Sequence, residues 1–168
     1  MPKLVIRNGR VIDPVTNLDA VCDVFCVNGY IAAIGEKLYA TGAEEFDATG
    51  LIVAPGFIDM HSHSDFTILE DGKAMSKITQ GVTTEVLGES SSAGPYQGKL
   101  SGTKKWTTLG GYFDTIDKAG VSTNIASFVG LGTIWRNVMG DSHARPSPEQ
   151  FDKMKSLVEE AMQNGAAD

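Results

Sequence analysis

Short apolar runs rich in β-branched residues, punctuated by Asn-Gly, organise the first third of the chain. Leu4-Val5-Ile6-Arg7 and Arg10-Val11-Ile12 flank Asn8-Gly9, while Val24-Phe25-Cys26-Val27 and Tyr30-Ile31-Ala32-Ala33-Ile34 flank Asn28-Gly29. Asn-Gly is a strong hairpin cue, because both central residues of a type I′ turn need positive φ. Two hairpins with little helical periodicity between them predict a small antiparallel sheet over residues 1–53. At Ala54-Pro55-Gly56 the pattern changes, which divides the chain into residues 1–54 and 55–168. Phe57-Ile58-Asp59-Met60 predicts a strand running into His61-Ser62-His63-Ser64-Asp65. A short helix over 76–80 precedes the strand-like Val82-Thr83-Thr84-Glu85-Val86-Leu87. Apolar residues at 106, 109, 112, 113 and 116 predict a helix over 106–119, followed by a strand over 124–129. Ser147, Pro148 and Gln150 form the start signal of a last helix, a Ser-x-x-Gln capping box with proline in the first turn. Its predicted buried stripe is Phe151, Met154, Val158, Ala161 and Met162, with Gly165 at its end. Strands alternating with helices imply a parallel sheet of right-handed βαβ units. The Ser- and Gly-rich stretch 88–102 reads as a long βα loop, the kind of segment in which α/β enzymes keep their chemistry.

Length and charge narrow the function classes. The chain has 168 residues, short of the roughly 250 of a complete (β/α)₈ barrel. Fourteen Lys and Arg against twenty-one Asp and Glu give a net charge of -7, with no basic cluster longer than Lys104-Lys105. A phosphate-tracking surface is thereby disfavoured, so no nucleic acid partner is expected, and a small molecule is. Apolar stretches fall far short of the roughly 18 residues a spanning helix needs, and Met1–Arg7 has no leader-like core. The expectation is a cytoplasmic protein with no membrane contact, for which a homo-oligomer is the other assembly to consider. Cys22 and Cys26 lie four apart in a predicted strand, about 13 Å between Cα atoms, which is beyond disulfide reach.

His61-x-His63 is the sharpest chemical feature. Residues i and i+2 of an extended segment share a face, so both imidazoles can meet one metal ion. The bland alternative is two polar residues closing the end of a strand. Asp65 is a candidate for orienting a histidine, or else begins a turn. The Arg136 guanidinium could pair bidentately with a substrate carboxylate, or simply lie exposed on a helix. His143, in a polar loop, reads as a surface residue. Glu85 shares strand parity with Leu87 and Glu89; if it points inward it needs a partner.

The run Ala54-Pro55-Gly56-Phe57-Ile58-Asp59-Met60-His61-Ser62-His63-Ser64-Asp65 resembles the first-strand signature of the amidohydrolase superfamily, and 46–53 fits the same pattern. Gly81-Val82-Thr83-Thr84, Ala126–Gly130, Gly132-Thr133 and Arg136–Gly140 resemble the N-acyl-D-amino-acid deacylases, or D-aminoacylases, within it. The resemblance implies α/β architecture: a small β-sandwich followed by the first three units of a metal-dependent (β/α)₈ TIM barrel, the N-terminal portion of a longer enzyme. It also implies zinc, one or two divalent metals, with His61 and His63 as ligands. The implied reaction is hydrolysis of an N-acyl-D-amino acid to a carboxylate and a D-amino acid. The general base, and further histidine ligands, are expected beyond residue 168, so that the 168 residues alone would be inactive.

Two departures from the family pattern stand out. Where D-aminoacylases carry a cysteine ligand after a Gly-Asn pair, this chain reads Gly88-Glu89-Ser90-Ser91. Ser90 occupies the thiolate's position and is a poor zinc ligand, whereas Glu89 could supply a hard oxygen donor or be a solvated loop acid. Leu131 stands where the family often has a histidine, which removes a polar contact to substrate. Two alternatives remain: a cyclic-amide hydrolase of the dihydroorotase or hydantoinase kind, and a non-catalytic protein that keeps the fold.

Overall fold

A computed structural model describes residues 2–96 and 105–167. The chain forms two compact units, Met1–Pro55 and Gly56–Asp168. In the first, β1 (Lys3–Asp13), β2 (Leu18–Val27), β3 (Tyr30–Gly35), β4 (Glu44–Asp47) and β5 (Ile52–Val53) make one five-stranded sheet of order β3-β2-β1-β4, with β5 also paired to β1. The predicted Asn28-Gly29 hairpin is present between β2 and β3, with φ of 54° and 82° at its two residues.

Asn8-Gly9 is not a turn, contrary to the sequence expectation. β1 runs through it, and Asn8 spends its positive φ of 58° on a bulge, where the β1–β2 register shifts between Ile6 and Gly9. Asp23, on β2 opposite the bulge, holds both bulge residues: its Oδ1 accepts from the Asn8 N–H at 3.0 Å and its Oδ2 from Arg7 Nη1 at 2.8 Å. The chain reverses later, where Asp13 accepts from the Val15 N–H (3.0 Å) and the Thr16 hydroxyl (2.6 Å). The sheet is also mixed rather than antiparallel, because β4 and β5 both run parallel to β1. Val11, Cys22 and Val24 form its small core. Cys22 and Cys26 are free, as expected of residues on one strand.

The second unit carries a parallel sheet of order β6-β7-β8, from β6 (Phe57–Asp59), β7 (Val82–Leu87) and β8 (Asn124–Ser127). Its helices are α1 (Thr67–Glu70), α2 (Met75–Ile78), α3 (Leu109–Ala119), α4 (Leu131–Met139) and α5 (Pro148–Gln163). Helix α3 starts three residues later than its apolar pattern suggests, since Thr108 caps it by accepting from the Gly111 N–H. The buried core gathers Ile68, Leu87, Trp106, Leu109, Tyr112 and Ile116.

Helix α5 opens on the full capping box: Ser147 Oγ accepts from the Gln150 N–H, and Gln150 Oε1 accepts from the Ser147 N–H. Its buried face differs from the predicted stripe. Met154, Leu157 and Ala161 are buried, while Phe151 is 53% and Met162 38% exposed. The sequence expectation places Arg136 on a helix but gives that helix no start, because α4 begins Leu131-Gly132 behind Gly130, with no side-chain cap. The predicted 88–102 loop falls partly on residues 97–104, outside the described residues.

Candidate metal centre

The site begins where β6 ends. Beyond Asp59 the backbone stays beside β7, with the Ser62 N–H donating to the Val86 carbonyl at 3.0 Å. The strand ends at Asp59 and the backbone bends at Met60 and His61, yet side chains still alternate sides along 61–63. His61 and His63 accordingly emerge together and exposed, while Ser62 turns inward and is buried. The two imidazoles stand edge to face, and their Nε2 atoms lie 3.0 Å apart. Two nitrogens bound to one zinc at tetrahedral angles would lie about 3.3 Å apart, so this spacing suits a shared cation.

Glu89 reaches His61 from the loop after β7. Its Oε2 lies 2.6 Å from His61 Nδ1. A carboxylate at Nδ1 keeps the proton on that nitrogen and leaves Nε2 with its lone pair, the tautomer a metal needs. Glu89 thus meets His61 on the ring edge away from the Nε2 pair. Among the described residues, no group of three or more His, Cys, Asp or Glu converges as a complete metal cage. Gly88 explains why Glu89 departs from strand parity. With φ of 85°, and no room for a Cβ against the Phe128 carbonyl, it breaks the alternation before Glu89 is reached.

Glu85 does point inward, fully buried, and has partners. Its Oε2 accepts from Ser62 Oγ at 2.8 Å and Ser64 Oγ at 2.7 Å, and its Oε1 from Thr123 Oγ1 at 2.9 Å. Lys77, from α2, approaches Oε2 to 3.4 Å, also reaches Ser62 Oγ at 3.2 Å, and pairs with Asp59. Asp59 in turn accepts from the His61 N–H at 3.1 Å. Burial pushes the Glu85 carboxyl up, but hydrogen bonds from Ser64, Ser62 and Thr123, with the charge of Lys77, outweigh it and hold the group below the usual carboxylate value. Sequence reasoning asked for a partner to Glu85; it did not find Lys77, Thr123 or the two serines, whose roles depend on the strand register.

Asp65 is buried, with Oδ1 lacking a hydrogen-bond partner. Desolvation raises its carboxyl above the ordinary value. It lines a cavity of about 390 Å³ together with Phe66, Ser92, Thr133, Arg136 and Asn137. Arg136, on α4, is exposed. Ser90 is exposed too, in a left-handed conformation (φ 67°), and its carbonyl accepts from the Gly132 N–H at 2.7 Å, tying the loop to the start of α4. His143 is exposed in its loop.

The amidohydrolase family model matches residues 44–167, a segment that contains the histidine pair, Glu85 and Glu89. The chain belongs to the amidohydrolase family. Within that family it is 32% identical over 174 residues to D-aminoacylase from Alcaligenes xylosoxydans xylosoxydans, covering 97% of this chain and 36% of that protein. It is 65% identical to the dihydroorotase of Solibacter usitatus, but over only 60 residues, 36% of this chain and 14% of that one. Among solved amidohydrolases, N-acyl-D-glutamate deacylase from Bordetella bronchiseptica, complexed with zinc and a phosphonate mimic of the tetrahedral intermediate, superposes with a TM-score of 0.85 at 30% identity. The match covers 95% of this chain and 36% of that one. The chain therefore spans about a third of the length of the deacylases it resembles. No helix among the described residues is long and apolar enough to cross a membrane.

Proposed function

We propose that this chain carries the first metal-binding segment of a zinc-dependent amidohydrolase that cleaves the amide bond of N-acyl-D-amino acids, releasing a carboxylate and a D-amino acid. The observation that carries the reading is the pair of Nε2 atoms 3.0 Å apart, with Glu89 Oε2 2.6 Å from His61 Nδ1. The donor chemistry fits a borderline cation: two imidazoles as ligands, with a carboxylate fixing one tautomer. When bound there, zinc would supply Lewis acidity, polarising the amide carbonyl and making a coordinated water acidic near neutral pH.

The chain's own residues would do the rest of what this segment contributes. His61 and His63 hold the ion. Glu89 keeps the His61 proton on Nδ1, which a ligand imidazole requires. Arg136 and Asp65 face one cavity, and we assign that cavity to substrate, with the Arg136 fork suited to the carboxylate of the amino acid. Ser90, in the position of the family's thiolate, serves through its carbonyl as a loop anchor. The parallel strands β6, β7 and β8 with their helices are read as the opening three units of a (β/α)₈ barrel, and the N-terminal sheet as part of a β-sandwich.

A cyclic-amide hydrolase is the second reading, favoured by the short high-identity match to dihydroorotase. The complete protein, assayed on N-acetyl-D-amino acids beside hydantoin and dihydroorotate, separates the two. Turnover of the acylated D-amino acids is expected; turnover of the cyclic substrates alone would reject the deacylase reading.

A further inference from the structure

Glu85 is the most deeply buried ionised group beside the site, and neither ligand binding nor loop anchoring accounts for it. A carboxylate removed from water costs several kcal/mol unless its lone pairs are well used, and its neighbours Val86 and Leu87 show that the interior there accepts apolar side chains. Three hydroxyls and one ammonium group surround this carboxylate. Two of the hydroxyls, those of Ser62 and Ser64, alternate in sequence with His61 and His63.

We propose that Glu85 is a positioning residue of the metal site: from within the sheet it clamps the hydroxyls of Ser62 and Ser64, and so fixes the direction in which His61 and His63 project. The proposal rests on the reading that these histidines hold a metal. Along 61–64 the histidine and serine side chains alternate between two sides of one short backbone segment, so neither set can turn without turning the other. With both serine hydroxyls on Oε2, the backbone from 61 to 64 cannot rotate about its axis unless it breaks two hydrogen bonds to a buried charge. Lys77 adds a third hold, bonding Ser62 while another of its partners, Asp59, accepts from the His61 N–H. Thr123 occupies Oε1 from the entry to β8, which keeps the carboxylate from swinging away. Pre-orientation of two ligands lowers the entropy lost when the ion binds, so the clamp acts on metal affinity rather than on bond-making.

The test measures zinc affinity of the complete protein by competition with a chromophoric chelator, alongside the ligand-field spectrum of the cobalt-loaded form. Glu85→Gln and the double variant Ser62→Ala/Ser64→Ala are each expected to weaken zinc about 10- to 100-fold, the usual effect of losing an outer-layer partner, and to change the cobalt bands. Leu157→Ala, which opens the core under α5, is the stability control: it should lower the melting temperature and leave both metal readouts unchanged. If Glu85→Gln does not fold, the serine pair decides alone, because it leaves Glu85 with Lys77 and Thr123. Unaltered zinc affinity and cobalt spectrum in the serine pair would overturn the clamp while leaving the metal reading intact. Failure of the unsubstituted protein to bind zinc would overturn both.

Discussion

Replacing Glu89 by glutamine probes the tautomer argument most sharply. The substitution keeps the side chain's size and a carbonyl acceptor but removes the negative charge 2.6 Å from His61 Nδ1. Loss of a partner to a ligating imidazole typically costs 10- to 100-fold in metal affinity. Here the two side chains are 60% and 56% exposed, so water can take up part of the Nδ1 interaction and the effect belongs at the lower end. About tenfold weaker zinc binding is expected, or ~1.4 kcal/mol. Chelator competition at fixed pH and ionic strength measures it. Glu89→Ala should cost at least as much, since no acceptor remains. Zinc affinity unchanged in both variants would refute the idea that Glu89 holds His61 in its ligand form.

Other outcomes follow from the fold. Leu157→Ala should destabilise the second unit by about 2–5 kcal/mol in thermal or urea unfolding, whereas Phe151→Ala, at a 53% exposed position, should cost less than about 1 kcal/mol; the reverse order would mean that α5 presents the face its sequence pattern suggested. Ser147→Ala removes the Oγ that accepts from the Gln150 N–H, while the backbone N–H at 147 can still donate to Gln150 Oε1, and should cost about 1 kcal/mol; an unchanged midpoint would deny the cap a role. Burial raises the Asp23 carboxyl, but Arg7 and the N–H groups of Asn8 and Leu38 outweigh it and depress the group overall. Its stabilisation is therefore present above the unfolded value near pH 4 and lost as pH falls through the lower folded value. Asp23→Asn should flatten that acid limb of the stability profile; an identical limb would remove Asp23 from the bulge's energetics.

What the sequence made legible was local. The Asn28-Gly29 turn and the Ser147 box each depend on residues within four positions, and both appear in the structure. Asn8-Gly9 carries the same turn chemistry but needed knowledge of Asp23, fifteen residues away, to be recognised as a bulge. The face of α5 was misjudged because periodicity alone admits neighbouring registers, and contact with α4, itself missed behind Gly130-Leu131-Gly132, selects the one with Leu157 inside. At the site, His61 and His63 followed from two-residue alternation and from the family resemblance. Glu85 was visible as a buried acid in search of a partner. Lys77 and Thr123 were not, because the packing of α2 on β7 and the pairing of β7 with β8 bring them to it. Parity failed beyond Leu87, where Gly88 takes a positive φ and re-aims Glu89 toward the imidazole.

Anomalous diffraction at the zinc absorption edge, from crystals of the complete, zinc-loaded protein, tests directly whether the two imidazoles share one cation. A peak bonded at about 2.0–2.1 Å to both His61 Nε2 and His63 Nε2 is the predicted result. A zinc peak ligated elsewhere, with these two nitrogens bonded only to each other, would contradict it.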